Sequence, residues 1–186
     1  FAHYRNGLST EEAISRALGM STPQLDAKFA AWAAERIVKM GLDEISQKQL
    51  KLLKEQGKEL IESARYQEAL EVWERAYGIC PGDLEVNRRL AGLYLHRSIN
   101  LPEKAAEHLH ALNREQLHDN RYAKRLAKLY EQQKSLDEAI KCALRATQID
   151  PYDADAREML SRLYEKSGQE QLSRRQQEIA QTIQSL

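Results

Sequence analysis

Nine basic side chains recur along the middle of this sequence at spacings that let them act together. They are Lys51, Lys54 and Lys58, then Arg88 and Arg89, then Arg121, Lys124, Arg125 and Lys128. Within each set the residues sit about one, three or four positions apart, so each set occupies one broad face of a helix. The chemistry open to them is electrostatic binding. Ammonium and guanidinium groups hold carboxylates, and Arg does so through two parallel hydrogen bonds. In the same stretches Glu55, Glu62, Glu85 and Glu131 are the only opposing charges on those faces. The bias stands against a neutral background, since Lys+Arg and Asp+Glu are both 28 among 186 residues. A surface of one sign draws ligands of the other and focuses the field on them. A solvated helix face is also commonly rich in Lys and Arg. Repetition in three successive stretches is what favours a groove over a merely wet surface.

Other chemistries find little support. The neutral balance argues against a generic nucleic-acid binder, which carries a basic excess. The aromatics are too few and too regularly placed for a base-stacking platform; Trp73, Tyr94, Tyr130 and Tyr164 read as core. No Ser-His-Asp or Cys-His arrangement and no Gly-rich phosphate loop stands out, so no catalytic residue and no cofactor is expected. His96, His108, His110 and His118 cluster in sequence. However, His108 and His110 point about 200° apart on a helix, whereas zinc ligands on a helix lie three or four residues apart. They read as surface histidines, and no metal is expected. Cys80 and Cys142 fall at different places in the pattern, which argues against a disulfide. No apolar run approaches the roughly 20 residues of a membrane span.

The elements that must carry the basic residues are clearest from Asn120 to Asp153. Ala127, Ala139 and Ala146 let two antiparallel helices approach closely, Tyr130, Leu136 and Ala143 fill the seam between them, and Pro151 ends the second helix. This stretch resembles a tetratricopeptide repeat, whose period is about 34 residues. Gly57, Leu60, Tyr66, Ala69, Trp73, Ala76 and Pro81 occupy the matching places in a first repeat, about 50–83. A second, about 84–119, carries Leu90, Ala91, Tyr94, Ala105, Leu109 and Leu112, with an insertion in its turn at 96–102 and Leu117 where the others have Pro. A final unit, 154–186, keeps Leu160, Tyr164, Gly168 and Ala180 and then turns polar, as a solenoid cap must. The expected fold is all-α: a superhelix of antiparallel helix pairs, about three and a half repeats over residues 42–186, preceded by two N-terminal helices. No strand-period alternation suggests a sheet.

The resemblance implies that the first helix of each repeat lines a concave surface, and it is there that the nine basic residues fall. Some members of the family clamp the terminal carboxylate of a chaperone tail with Lys and Asn on one repeat, Asn on the next, and Lys and Arg on the third. The matching positions here are Lys54, Lys58, Arg89, Arg121 and Arg125. Lys54 and Arg125 match and Arg121 replaces Lys, but both Asn positions are basic. This departure points away from a chaperone-tail receptor and towards an acidic protein or peptide segment as partner.

Residues 1–41 fall outside the repeat. Ser9-Thr10-Glu11-Glu12 has the form of a capping box and predicts a helix over about 10–18, ended by Gly19. Ser21-Thr22-Pro23 starts another, running to about Met40, with Leu25, Phe29, Trp32, Ala33 and Ile37 at helical spacing. This segment resembles the C-terminal end of a gluzincin metallopeptidase domain of the peptidase MA-like kind, which in several bacterial proteins precedes such repeats. That resemblance implies a longer parent protein with a zinc-binding His-Glu-x-x-His helix. The present chain has no such motif. The other reading is that the two helices simply cap the solenoid.

Overall fold

The computed structural model describes residues 7–185, and among them the regular structure is helical throughout. The chain divides into two compact units, Phe1–Lys51 and Leu52–Leu186.

The first unit holds α1 (Thr10–Leu18), α2 (Thr22–Lys39) and the start of α3 (Glu44–Glu62). Local chemistry sets their ends. The Ser9 hydroxyl accepts the Glu12 amide while the Glu12 carboxylate accepts the Ser9 amide, a reciprocal cap that satisfies two otherwise orphaned donors. Gly19 then stops α1 in the left-handed conformation. The Ser21 amide donates to the Gln24 side chain at the head of α2, and Asp43 caps α3 by accepting from the Ser46 amide. Ala13 is the buried residue of α1, and α2 buries none of its residues. The apolar stripe of α2 therefore stays open, with Phe29 and Trp32 in ring contact at 5.7 Å but both more than half exposed.

The second unit continues from α3 through α4 (Tyr66–Ile79), α5 (Leu84–Tyr94), α6 (Pro102–Glu115), α7 (Arg121–Gln132), α8 (Leu136–Ile149), α9 (Ala154–Lys166) and α10 (Glu170–Gln184). Successive helices from α4 onward touch one another and pair in antiparallel fashion. Ala69, Ala105 and Ala139 are completely buried where the helices cross, since a larger side chain would push the backbones apart. The core is shared across neighbours. One cluster joins Ala91 of α5, Leu109 and Leu112 of α6, and Leu126 and Leu129 of α7. The next joins Ala127 of α7, Ala139 and Ala143 of α8, and Leu160 and Leu163 of α9. No pair closes its own core, so stability passes from neighbour to neighbour. Truncating one of the fully buried leucines, such as Leu126, to Ala should cost about 2–5 kcal/mol.

Each turn inside a pair needs one residue in the left-handed region. Ala64, Asn100, Lys134 and Gly168 supply it, with φ of 57°, 50°, 61° and 76°. The turn at 95–101 is longer than those at 63–65, 133–135 and 167–169, which is where the sequence predicts an insertion. At the far end α10 buries Ser173 and Ala180, and its remaining surface is largely polar.

One expectation is corrected. His108 is not a surface histidine: it is 7% exposed, and its Nδ1 lies 2.9 Å from Asn87 Oδ1. Tyr77 meets its ring edge-on and Tyr94 stacks against it. The alternation on α6 points His110 outward, as expected, but turns His108 onto α5. His118 and His110 are exposed.

Candidate functional site: a basic groove on α5, α7 and α9

Helices α3, α5 and α7 hold the nine basic residues, and two adjoining recesses open along this face, one of them bordered by Asp155 and Met159 of α9. One, of about 480 Å³, is lined by Arg88, Arg121, Lys124, Arg125 and Lys128, with Tyr122 and Met159 as apolar surface and Asp155 as its one carboxylate. The other, of about 420 Å³, is lined by Arg88, Arg89 and Arg125 together with Ile61, Tyr66, Gly92, Leu93 and His96, and Glu85. Arg88 and Arg125 border both. A larger recess of about 570 Å³ lies between α9 and α10, but Glu158, Glu165 and Glu170 there face Arg162 and Arg174. Its mixed signs cancel, so it does not gather charge as the first two do.

The nine basic residues are not equivalent. Lys54 lies 2.7 Å from Asp83 and 3.5 Å from Glu85, and its side chain is 19% exposed. Lys124 lies 2.5 Å from Asp153. Both pairs span 29 residues, and in both the aspartate also caps the following helix: Asp83 accepts from the Val86 amide and Asp153 from the Ala156 amide. Burial alone would push the Asp83 carboxyl up, but Lys54 and the Val86 amide together hold it below the usual carboxylate range. Asp153 behaves likewise, with Lys124, the Ala156 amide and Asn120. Both lysines clasp successive helix pairs; Lys124 also lines a recess, whereas Lys54 lines neither. Lys58 is bound to Glu85 at 3.0 Å.

The middle repeat breaks the clasp. Arg88 occupies the place of Lys54 and Lys124, and Asp119 the place of Asp83 and Asp153. Asp119 turns instead to Arg121, whose Nη2 lies 2.7 Å from it and whose amide it also accepts. Its carboxyl is lowered first by that Arg121 side chain. Among the described residues no carboxylate pairs with Arg88, Arg125 or Lys128. Arg89 lies over the Trp73 ring at 6.0 Å. Arg121 forks onto Asp119 through Nε and Nη2, the Arg121 side chain 77% exposed and that of Asp119 19%, so Arg121 is committed to that carboxylate. Lys51, exposed on α3 in the first unit, and Lys58 line neither recess.

The family profile for the tetratricopeptide repeat matches residues 120–163. The chain carries a tetratricopeptide repeat. Solved structures of MamA share its fold: one superposes with a TM-score of 0.63 at 16% identity, covering 73% of this chain and 78% of that one. Another gives 0.64 at 18% identity, covering 75% of each chain. MamA from Desulfovibrio magneticus RS-1 gives 0.59 at 18% identity over 86% of this chain and 95% of that one. No curated protein matches the sequence. The matched residues span α7, α8 and the start of α9, so α7 and α8 form one tetratricopeptide pair.

The sequence pattern missed Tyr66, Tyr122 and Met159. Met159 follows if the spacing is carried into the final unit, where it takes the place of Arg125. Tyr66 gives no such signal, because it begins a second helix and reaches the groove only through the turn. Among the described residues no group of His, Cys, Asp and Glu is arranged for a metal ion.

Proposed function

We propose that this chain is a protein–protein interaction module that holds an acidic or carboxylate-bearing peptide segment in the groove over α5, α7 and α9. One observation carries the reading. Arg88 and Arg125 border both recesses and among the described residues neither has a carboxylate partner; Asp119, in the place that would clasp Arg88, is engaged by Arg121. Two unpaired guanidiniums, with Lys128 beside them, are a site for bidentate carboxylate contacts. Lys54, Lys58 and Lys124 contribute background potential, since each already has an acidic neighbour. The binding core is thus narrower than the nine residues first marked.

Fluorescence polarisation of labelled glutamate- and aspartate-rich peptides tests the reading. Arg88→Glu and Arg125→Glu should each weaken binding at least about tenfold, a change of about 1.4 kcal/mol. Arg145→Glu, exposed on α8, should leave it unchanged. Affinity should fall steeply as salt rises, because screening shortens the reach of exposed charges. Binding that tolerates both groove reversals would remove the site. Peptides with free and amidated C-termini separate recognition of a chain end from recognition of an internal acidic run.

A second reading is favoured by α2, which leaves Phe29, Trp32 and Val38 exposed on a helix with no buried residue. On that reading the face serves another body, and the chain is the accessory, substrate-positioning region of a zinc metallopeptidase. A parent polypeptide without a His-Glu-x-x-His helix would remove it.

A further inference from the structure

We infer that the recess over Gly92 receives an aromatic side chain of the bound segment, next to the acidic groups held by Arg88 and Arg125. The inference rests on the acidic-segment reading and adds a second determinant to it. Two glycines inside helices frame the argument. At Gly57 a Cβ would stand 2.7 Å from Cε2 of Trp73, so glycine there is required by the core. At Gly92 a Cβ would meet nothing within 4 Å. Glycine inside a helix is destabilising relative to Ala, and at Gly92 no neighbour explains it. What its bare backbone provides is room, since it lines a recess and a side chain there would take up open space.

The walls of that recess suit a flat ring. Tyr66 and His96 stack with centroids 3.8 Å apart and present a planar face. His96 is fixed in turn by Ser98, whose hydroxyl lies 2.8 Å from Nδ1. Ile61 adds aliphatic surface, and Arg88 and Arg89 supply cations at the rim. A ring between an aromatic wall and guanidiniums gains offset stacking and cation–π attraction together. An aliphatic side chain would gain neither.

The test is a substitution scan of an acidic peptide against the whole chain, read by fluorescence polarisation. Phe, Leu or Ala is placed at each position in turn. At one position Phe should bind about three- to tenfold more tightly than Ala, with Leu close to Ala. In Gly92→Met the recess is filled, and the preference for Phe at that position should vanish while circular dichroism reports an intact fold. A Phe scan with no favoured position, a Leu scan that matches it, or a preference that survives Gly92→Met would each overturn the aromatic inference and leave the acidic groove standing. Failure of every acidic peptide to bind would overturn both.

Discussion

The two glycines also yield a sharp stability comparison. Replacing each by Ala gives the helix the same intrinsic gain, about 1 kcal/mol, so that contribution cancels between the two variants. What remains is the space around the new methyl group. At Gly92 it enters open solvent, and the variant should be more stable than the parent by about 1 kcal/mol. At Gly57 it would overlap the ring of Trp73, which is completely buried and adjoins Ala69 and Ala76 in sequence spacing on α4. Either Trp73 leaves its position or α3 and α4 separate, and such overpacking costs about 1–3 kcal/mol. Gly57→Ala should therefore fall below Gly92→Ala by that amount, ending between neutral and about 2 kcal/mol destabilised. Urea denaturation followed by circular dichroism measures both, with the midpoint reporting stability at constant slope. If Gly57→Ala stabilises as much as Gly92→Ala, the close approach of α3 to Trp73 is wrong.

The clasps and the buried histidine make further predictions. Asp153→Ala removes both the α9 cap and the Lys124 partner and should cost about 1–2 kcal/mol in urea midpoints; Asp153→Asn, which keeps a capping oxygen, should cost less. His108 is held neutral by burial, against the pull of Glu107 and Glu74 and with Lys104 acting in the same direction as burial. Its folded pKa lies below its unfolded value near 6.5, so the unfolded chain takes up the proton first as pH falls. Its contribution is full above about pH 6.5 and declines below that towards the folded pKa. Parent and His108→Gln should differ in the pH dependence of their urea midpoints between neutral and mildly acidic conditions, and identical profiles would refute a neutral, buried His108.

The fold was legible because its determinants are local and repeated. Ser9 and Glu12, Gly19, and the buried alanines at 69, 105 and 139 announce caps and crossings by type and spacing alone. The site was legible only in outline. The spacing marked the face, but it could not say which cations would be spent within the fold. Lys54 and Lys124 each precede an aspartate by 29 residues, a regularity present in the sequence whose meaning emerges once the aspartate is seen to cap the next helix. The release of Arg88 depends on which way Asp119 turns, a choice made by the neighbouring Arg121 in three dimensions. The spacing of His108 and His110 on one helix does not reveal the burial of His108, because its environment is set by Asn87 and Tyr94 from α5 and Tyr77 from α4. Tyr66 carries no groove signal in sequence, since its position belongs to the second helix of its pair.

Binding of acidic segments on the face built by α5, α7 and α9 can be mapped residue by residue. The experiment is amide chemical-shift mapping of the labelled chain titrated with an acidic peptide. The largest shifts should gather around Arg88, Gly92, Arg125, Lys128 and Met159, and they should shrink as salt is added. Shifts that gather instead on α4, α6 and α8, or on α2 around Phe29 and Trp32, would contradict it.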